Sequence, residues 1–396
     1  MSKVVVIGAG ASGIIAALTA TLKNEVILID GNDKCGKKIL VTGNGKCNYW
    51  NEDINIDKYF TSNNKKLEQI LENKEEVLNY LYNIGIYPKV KNGYYYPASN
   101  TSSSIREIFD KELKRCNVKT LYNTRVLNIE KNNDKYLIIT NDEKIICDKV
   151  VIATGSKASS KTGSDGWAYD ILKKFSHKIN PILPALVSLN TCENIKEWAG
   201  VRVDAKLSLI VNNKLLKEES GELQLTENGI SGICTFNLSS LVSRTLYNKD
   251  SVVMNINFMP SIDNFYEFFN KRNNEINNRT IGELLESIIN YKLLNVILKR
   301  SKLNEDCYWE KLNDTEKENL INNITKFEIS INSTNSFDKA QVCTGGIPLD
   351  EISDNMESIY NNNMFIVGEL LDVDGLCGGF NLAFAFITGY IAGKNV

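Results

Sequence analysis

The sequence predicts an α/β protein in which a parallel-sheet domain is interrupted by a long insertion. A β-branched run, Val4–Ile7, leads through a glycine turn into a helix of small apolar residues, as is typical of a strand buried on both faces. Residues 186–258 instead show short strands with Asn-rich turns, and residues 261–325 are polar and helical by pattern. Glycine-rich, parallel-sheet character returns after Thr344. We therefore expect the first domain to resume at the C-terminus.

The predicted elements begin with a strand, a helix and a second strand. The helix is expected to run to about Lys23, and the second strand is Glu25–Ile29. Helical periodicity covers residues 65–83, and several short strand patterns lie between residues 118 and 153. The later elements are a hairpin tip at 211–214, a strand at 364–367 and a final helix over about 379–392.

Composition and charge exclude several functions. The 396 residues include 46 Lys and Arg against 48 Asp and Glu, a formal charge of −2, so we expect no nucleic-acid partner and no polybasic membrane contact. The single histidine, His177, excludes a His-rich metal site, and no metal is expected. Nine cysteines without a C-x-x-C pair favour reduced thiols in a cytoplasmic protein. The apolar stretch 376–393 contains Asn381, which favours a buried helix over a membrane span.

The glycine turn after the first strand has the pattern G-x-G-x-x-G. Its residues are Gly8, Ala9, Gly10, Ala11, Ser12 and Gly13. Gly8 permits the tight turn, Gly10 lets the backbone approach a pyrophosphate, and Gly13 lets the helix pack closely on the strand. The helix N-terminus favours phosphate, and Asp30, at the end of the second strand, can accept hydrogen bonds from an adenosine ribose. This Rossmann-like context predicts that a dinucleotide binds here.

The C-terminal segment indicates which dinucleotide is bound. A strand ends in Gly368 and Glu369, and the last helix follows Gly378, Gly379 and Asn381. In flavoproteins with this topology such an acidic residue binds the ribityl chain, and the helix N-terminus faces the flavin ring. Together with the first motif, this segment favours FAD over NAD. Further candidate contacts are Lys38, Val126 and the end of a companion strand, Ala153, Thr154 and Gly155.

The loop Thr42–Asn48 has two interpretations. Gly43 and Gly45 suggest a second dinucleotide motif, but no acidic residue after a second strand supports it. We favour a loop whose backbone passes close to the isoalloxazine, with Asn44 and Asn48 binding flavin or neighbouring turns. Without a second nucleotide fold, NAD(P)H would enter the same cleft transiently, or another electron donor would be used.

The remaining candidates for reactive side chains are two cysteines, the single histidine and a tyrosine cluster. Cys47 and Cys377 lie in loops expected to approach the flavin, where a redox disulfide is conceivable. Flavin disulfide reductases carry their pair close together in sequence, so two buried thiols are the favoured interpretation. His177 is interpreted as a surface or capping residue and not as a general base. Tyr94–Tyr96 are interpreted as rim packing before a proton donor, so no catalytic residue is assigned.

Motifs along nearly the whole chain resemble the HI0933-like family of FAD-dependent oxidoreductases. They lie at 36–48, 162–166, 184–187, 225–232, 344–347, 368–375 and 378–382. The resemblance implies bound FAD, an inserted β-barrel-like domain and a helical subdomain within the insertion. Lys46, Gly166–Tyr169 and Tyr94–Pro97 depart from the motifs, and we expect these differences to affect the pocket over the ring.

These inferences predict three domains and one activity. The Rossmann-like FAD-binding domain covers 1–187 and 341–396, the β-rich substrate domain 188–258 and 326–340, and the helical subdomain 259–325. The expected activity is hydride transfer from flavin N5 to a small organic acceptor. The resemblance favours an enone or enoyl reductase that uses NAD(P)H. The alternatives are an amine-type oxidase or dehydrogenase that uses oxygen, and a flavin-binding regulatory protein without catalysis.

Overall fold

The chain forms two compact units. The structure is a computed structural model that describes residues 1–193, 195–276 and 278–396. The first unit combines residues 1–183 with residues 340–396, and the second contains residues 184–339. The N-terminal and C-terminal segments therefore belong to the same unit.

The N-terminal segment of the first unit begins with the predicted strand, helix and strand. Its strands are β1 (Lys3–Ile7), β2 (Glu25–Ile29), β3 (Trp50–Asn51), β4 (Tyr59–Thr61), β5 (Pro88–Lys91), β6 (Tyr94–Pro97), β7 (Lys119–Leu121), β8 (Val126–Asn132), β9 (Lys135–Thr140), β10 (Lys144–Cys147) and β11 (Lys149–Ile152). Its helices are α1 (Ala11–Ala20), α2 (Asn64–Leu71), α3 (Lys74–Asn83), α4 (Ser102–Arg115) and α5 (Trp167–Lys174). Strand β12 (Leu183–Ala185) contains the boundary with the second unit.

The second unit is a six-stranded closed barrel with helices. Its strands are β13 (Leu189–Thr191), β14 (Arg202–Val211), β15 (Lys214–Thr226), β16 (Gly229–Gly232), β17 (Val252–Asn257) and β18 (Phe327–Thr334). They follow the order β13-β16-β15-β14-β17-β18 around the barrel. Its helices are α6 (Ile233–Tyr247), α7 (Phe265–Glu275), α8 (Ile281–Leu285), α9 (Tyr291–Arg300) and α10 (Asp314–Thr325).

One hydrophobic core serves both the barrel and the helices of the second unit. Side chains alternate between buried and half-buried along β17, as expected for a strand with one face inside a barrel. Phe269 of α7 stacks on Trp309 with ring centroids 4.4 Å apart, and both rings belong to the same buried cluster as the barrel residues. The predicted hairpin tip at 211–214 joins β14 to β15.

The C-terminal segment completes the parallel sheet of the first unit. Its elements are β19 (Val342–Thr344), β20 (Met364–Ile366), β21 (Val373–Gly375) and α11 (Phe380–Asn395). The sheet has the order β20-β11-β1-β2-β7, and each neighbouring pair is parallel. Val4, Val5 and Val6 in the central strand have no exposed surface, which explains the unbroken β-branched run. The predicted α/β class with a parallel sheet and a barrel is confirmed.

Helices α1 and α11 pack backbone against backbone. A Cβ atom on Gly389 would overlap the Ser12 carbonyl oxygen, and one on Gly393 would overlap the Thr19 side chain. The two glycines lie four residues apart and therefore share one face of α11. This close approach brings the C-terminal helix against the helix that follows the N-terminal glycine turn.

The structure shows the form taken by two predicted helical regions, residues 65–83 and the apolar C-terminal stretch. The helix expected over 65–83 is two helices, α2 and α3, because the Asn73 side chain donates to the Ile70 carbonyl (3.2 Å) at the break. The apolar C-terminal stretch forms α11, which has 16 residues and is largely buried. Among the described helices, none combines the length and the apolar character that crossing a bilayer requires.

Candidate functional site

Of the three glycines in the turn between β1 and α1, two are crowded by neighbouring backbone and one is open. Gly8 has a φ of +103°, and a Cβ atom there would overlap the Ala153 carbonyl oxygen. A Cβ atom on Gly13 would overlap the Gly8 carbonyl oxygen. By contrast, a Cβ atom on Gly10 would meet no atom of the described chain within 4 Å. The space over Gly10 is where a pyrophosphate can approach the backbone.

Helix α1 begins at this open position without a side-chain cap from the described residues. Gly10 is its N-cap residue, and its first intrahelical bond runs from the Ile14 N–H to the Gly10 carbonyl (3.0 Å). The N–H groups of the first turn and the partial positive charge of the helix are suited to an anionic group. The turn therefore fits the phosphates of a dinucleotide.

Asp30 fixes the glycine turn to the end of β2. Its Oδ2 accepts from the Ala9 N–H (2.6 Å), and its Oδ1 accepts from the Asn32 N–H (2.7 Å) and the Asn32 Nδ2 (2.9 Å). An ionised carboxylate offers about four acceptor positions, so these three bonds leave room for one more donor. Asp30 thus has a structural role beside the ribose contact that the sequence predicts.

The carboxyl ends of three neighbouring strands meet at this edge of the sheet. Ala153, after β11, lies against Gly8, and its N–H donates to the Ile7 carbonyl (2.8 Å). After β20, Gly368 has a φ of +72°, and a Cβ atom there would lie 2.5 Å from the Ser12 Oγ. In parallel α/β sheets, ligands bind at such strand ends.

Two further predicted contacts, Gly155 and Val126, lie in segments beside these strand ends. Gly155 has a φ of +72° and approaches the Ser164 side chain, whose hydroxyl lies 3.4 Å from the Thr154 carbonyl oxygen. Val126 is buried at the start of β8, two residues after Thr124, whose N–H donates to the Asp30 carbonyl (3.0 Å). The structure thus places the Thr124–Val126 segment next to Asp30.

Lys38 and Glu369 form an ion pair. The Lys38 Nζ lies 2.7 Å from the Glu369 Oε2, and both side chains are about one-fifth exposed. The Glu369 Oε1 accepts from the Cys343 N–H (3.0 Å). Two predicted site residues that are 331 positions apart are therefore in direct contact, and the carboxylate is held at both oxygens.

The loop Thr42–Asn48 turns repeatedly through the left-handed region. Gly43, Asn44, Gly45 and Cys47 have φ values of +56°, +53°, +80° and +56°. A Cβ atom on Gly43 would lie 2.9 Å from the Asn48 nitrogen, which explains the glycine there. The Asn48 amide nitrogen donates to the Trp50 and Tyr95 carbonyl oxygens (3.1 Å each), so this side chain binds neighbouring backbone.

The C-terminal glycine pair packs against the segment that follows this loop. Gly379 has a φ of +94°, and a Cβ atom there would lie 2.5 Å from the Trp50 carbonyl oxygen. The Gly378 carbonyl accepts from the Asn51 Nδ2 (2.9 Å), and the Tyr94 ring lies against Gly378. Gly379 is the N-cap residue of α11 and, within the described chain, receives no side-chain cap bond.

The polar atoms of Asn381 are engaged with the chain itself. Its Oδ1 accepts from the Gly375 N–H (2.8 Å), and its Nδ2 donates to the Gly375 carbonyl (2.8 Å). Asn381 therefore ties the first turn of α11 to the end of β21, and this bridge supports the shape of the loop around Gly378.

The Cys47 side chain is a buried thiol. Burial raises the pKa of Cys47 to about 11, an effect larger than the opposing hydrogen bond with Thr42. Such a thiol is protonated at neutral pH and is a poor nucleophile for disulfide exchange. Cys377 is half-buried.

The prediction that His177 lies at the surface is wrong. The residue is 4% exposed, its Nδ1 lies 2.9 Å from the Glu351 Oε2, and its Nε2 lies 2.8 Å from the Ser358 Oγ. No local pattern around His177 could reveal this, because its partners are 174 and 181 positions away. The Ser358 Oγ also accepts from the N–H groups of Tyr360 (3.2 Å) and Asn361 (3.1 Å). This buried, fully engaged hydroxyl is suited to joining segments and not to nucleophilic attack.

Sequence reasoning missed Tyr169, which contacts the predicted site. Its hydroxyl lies 2.9 Å from the Ser156 Oγ and 3.3 Å from the Glu369 carbonyl oxygen. The sequence signal for Tyr169 is its place in the segment 166–169, which departs from the family motif. That segment also lines a cavity of about 320 Å³. The other lining residues are Arg125, Lys157, Asp165, Asp170, Lys173, Ile179 and Ile182.

The fold and the residues at the strand ends define an FAD-dependent oxidoreductase of the Rossmann-type flavoprotein class. The open backbone at Gly10 and the uncapped start of α1 fit its dinucleotide. The chain belongs to the HI0933-like family, since the family model for the HI0933-like protein Rossmann domain matches residues 2–395. The resemblance stated from the sequence is thereby confirmed.

Two curated relatives match the chain over nearly its whole length. It is 34% identical to a 3-dehydro-bile acid delta(4,6)-reductase of Clostridium scindens, covering 100% of this chain and 98% of the relative. It is 25% identical to a ribosomal RNA dihydrouridine synthase of Escherichia coli, covering 99% of this chain and 97% of the relative.

Among solved structures, a flavocytochrome c3 fumarate reductase in its open conformation has a similar fold. The match has a TM-score of 0.52 at 15% sequence identity and covers 100% of this chain and 78% of that chain. At this identity the likeness bears on the fold alone.

Proposed function

We propose that this flavoenzyme reduces a carbon–carbon double bond conjugated to a carbonyl group in a small organic molecule. The full-length similarity to the bile acid delta(4,6)-reductase carries the proposal, because that name specifies reduction of double bonds in a 3-oxo compound. When bound, FAD supplies hydride transfer at its N5 position. The described chain contributes binding, orientation and electrostatics around that cofactor.

The proposed FAD contacts lie in the glycine turn, in segments at the ends of the parallel strands, in the loop Thr42–Asn48 and at the start of α11. The N-terminal contacts are Gly8, Gly10, Ala11, Ser12, Gly13, Asp30, Lys38, Thr42, Gly43, Asn44, Gly45, Cys47 and Asn48. The remaining contacts are Val126, Ala153, Thr154, Gly155, Gly368, Glu369, Gly378, Gly379 and Asn381. Contacts among these segments support the assignment, since Gly8 meets Ala153, Gly368 meets Ser12 and Lys38 pairs with Glu369.

Each charged group in this set has a distinct proposed role. The first turn of α1 would hold the pyrophosphate, and Asp30 would use its remaining acceptor position for the adenosine ribose. Glu369 would bind the ribityl hydroxyls while Lys38 compensates its charge. The N-terminus of α11 would stabilise negative charge on the reduced ring.

We propose NAD(P)H as the electron donor, entering the cleft that the acceptor uses. A flavin reductase needs a hydride donor, and NAD(P)H is the common biological one. Oxygen is the acceptor in the alternative amine-type oxidase, and no turnover is expected of a flavin-binding regulatory protein.

A second candidate substrate is a uridine of ribosomal RNA. The relative from Escherichia coli favours it, since dihydrouridine is uridine whose conjugated C5–C6 double bond has been reduced. The chemistry is therefore the same as for an enone, and only the recognition differs. The formal charge of −2 and the lower identity favour the small molecule, because RNA binding relies on cationic surface.

Anaerobic flavin titration tests the proposal. The purified chain should absorb at about 450 nm, bleach with NADH or NADPH, and recover its colour with a 3-oxo-Δ4 steroid. Recovery only with undermodified ribosomal RNA would favour the second candidate. Reduction by amines with peroxide formation in air would favour the oxidase, and flavin that no donor reduces would contradict a reductase.

A further inference from the structure

A buried hydrogen-bond chain joins the ends of β11 and β20 beneath the proposed cofactor site. Tyr169, in α5, is 3% exposed and lies within hydrogen-bond distance of the Ser156 Oγ (2.9 Å) and the Glu369 carbonyl oxygen (3.3 Å). A phenol has one hydrogen to donate and can also accept. The Tyr169 hydroxyl donates towards both oxygens, and its shorter contact is with the Ser156 Oγ.

The phenol of Tyr169 is held in its protonated, donating form. Burial raises the pKa of Tyr169 well above its usual value, although the hydrogen bond with Ser156 acts in the opposite direction. Ser156 has no exposed surface and follows the predicted FAD contacts Thr154 and Gly155 by one or two positions. The hydroxyl chain therefore starts at one proposed cofactor segment and ends at another.

Glu369 is held through both its side chain and its main chain, and Tyr169 supplies the main-chain contact. Its carboxylate is held by the Lys38 Nζ and the Cys343 N–H, and its main chain is held by Tyr169. The neighbouring Gly368 presses on Ser12 in the first turn of α1. A displacement of the Glu369 main chain would thus reach both the proposed ribityl contact and the proposed phosphate turn.

We propose that Tyr169 is a positioning residue, whose hydroxyl sets the place of Glu369 and thereby the affinity and environment of the bound flavin. This inference rests on the proposed FAD contacts. It assigns no chemical step to Tyr169, whose hydroxyl acts through Ser156 and Glu369.

Tyr169→Phe removes only the hydroxyl, and Tyr136→Phe is the matched control. Tyr136 is also buried in the first unit, and its hydroxyl donates to the Asn362 carbonyl (2.7 Å). Asn362 precedes β20, whereas Glu369 follows it, so the control loses a similar bond at the opposite end of the strand. Both variants should lose comparable stability.

The measurements are the FAD dissociation constant and the visible circular dichroism of the reconstituted full chain. Loss of the two buried contacts of the Tyr169 hydroxyl predicts about five- to tenfold weaker FAD binding for Tyr169→Phe. We also expect an altered visible dichroism, and affinity within about twofold of the wild type for Tyr136→Phe. Wild-type affinity and dichroism in Tyr169→Phe, or equal weakening in both variants, would overturn the inference.

A second variant protects the test against misfolding of the first. Ser156→Ala removes the other end of the hydroxyl chain and should weaken FAD binding in the same direction by about two- to fivefold. Unchanged FAD affinity in Ser156→Ala, if Tyr169→Phe does not fold, would also overturn the inference. A wild-type chain that binds no FAD would instead contradict the proposed cofactor site.

Discussion

The starts of α1 and α11 use glycine for different purposes. Both helices begin at a glycine N-cap, and the described residues give neither of them a side-chain cap. At α1, Gly10 has an extended backbone (φ −82°) and open space around its Cβ position. At α11, Gly379 is left-handed and is pressed against Trp50. We therefore expect a substitution at Gly10 to act mainly on the proposed FAD site, and a substitution at Gly379 to act mainly on the fold.

Among the substitutions considered, one at Gly379 should lower the stability of the protein most. Gly379→Ala places a side chain in the left-handed region, which costs about 1–2 kcal/mol, and adds an overlap with the Trp50 backbone. We expect a total loss of about 3 kcal/mol or more, seen as insoluble protein or a strongly lowered Tm. A variant with wild-type Tm would show that the N-terminal and C-terminal segments do not pack as described.

Gly10→Ala should affect the ligand and spare the fold. The backbone there suits any residue and no atom of the described chain blocks a methyl group, so the free energy of unfolding of the apoprotein should change by less than about 0.5 kcal/mol. FAD binding should weaken by about tenfold or more, because the methyl group occupies the path of the pyrophosphate. Thermal unfolding with and without FAD measures both quantities, and unimpaired FAD binding would contradict the assignment.

Substitution of Asn381 tests how strongly the first turn of α11 is tied to β21. Asn381→Ala removes two hydrogen bonds to Gly375, for an expected loss of about 1–2 kcal/mol in the free energy of unfolding. Denaturant unfolding of the apoprotein measures this loss. The control is Asn395→Ala, which removes one bond to the Ile391 carbonyl at the far end of the same helix and should cost less. Equal stability of Asn381→Ala and the wild type would show that the bridge does not support the loop.

His177, which lies outside both helix starts, should have the smallest effect, a change in the pH dependence of Tm. Burial lowers the pKa of His177 despite the opposing carboxylate of Glu351, so the folded chain binds this proton less readily than the unfolded chain. The stability that this group contributes is therefore present above about pH 6.5 and is lost as the pH falls towards its lower folded value. We expect Tm to decrease from pH 7 to pH 5, with a shallower decrease in His177→Gln. An unchanged pH dependence in the variant would show that other groups cause the decrease.

Local sequence patterns predicted the elements that depend on local chemistry. The β-branched run of β1, the glycine turn and the hairpin at 211–214 all formed as expected, because neighbouring residues determine them. The pairing of Lys38 with Glu369 had no such signal, although both residues were candidates for the site. Tyr169 and His177 were missed or misplaced because their partners lie far along the chain. Asn381 was selected as a cofactor contact, and only the structure showed that its polar atoms bind Gly375.

We propose that the N-terminal and C-terminal segments together hold one FAD molecule. The most direct measurement is the amount and identity of flavin carried by the full chain after purification and after incubation with excess FAD. We expect close to one FAD per folded wild-type chain, released on denaturation, and a lower FAD content in Gly10→Ala when FAD is limiting. A fully folded wild-type chain that remains colourless with excess FAD would contradict the account.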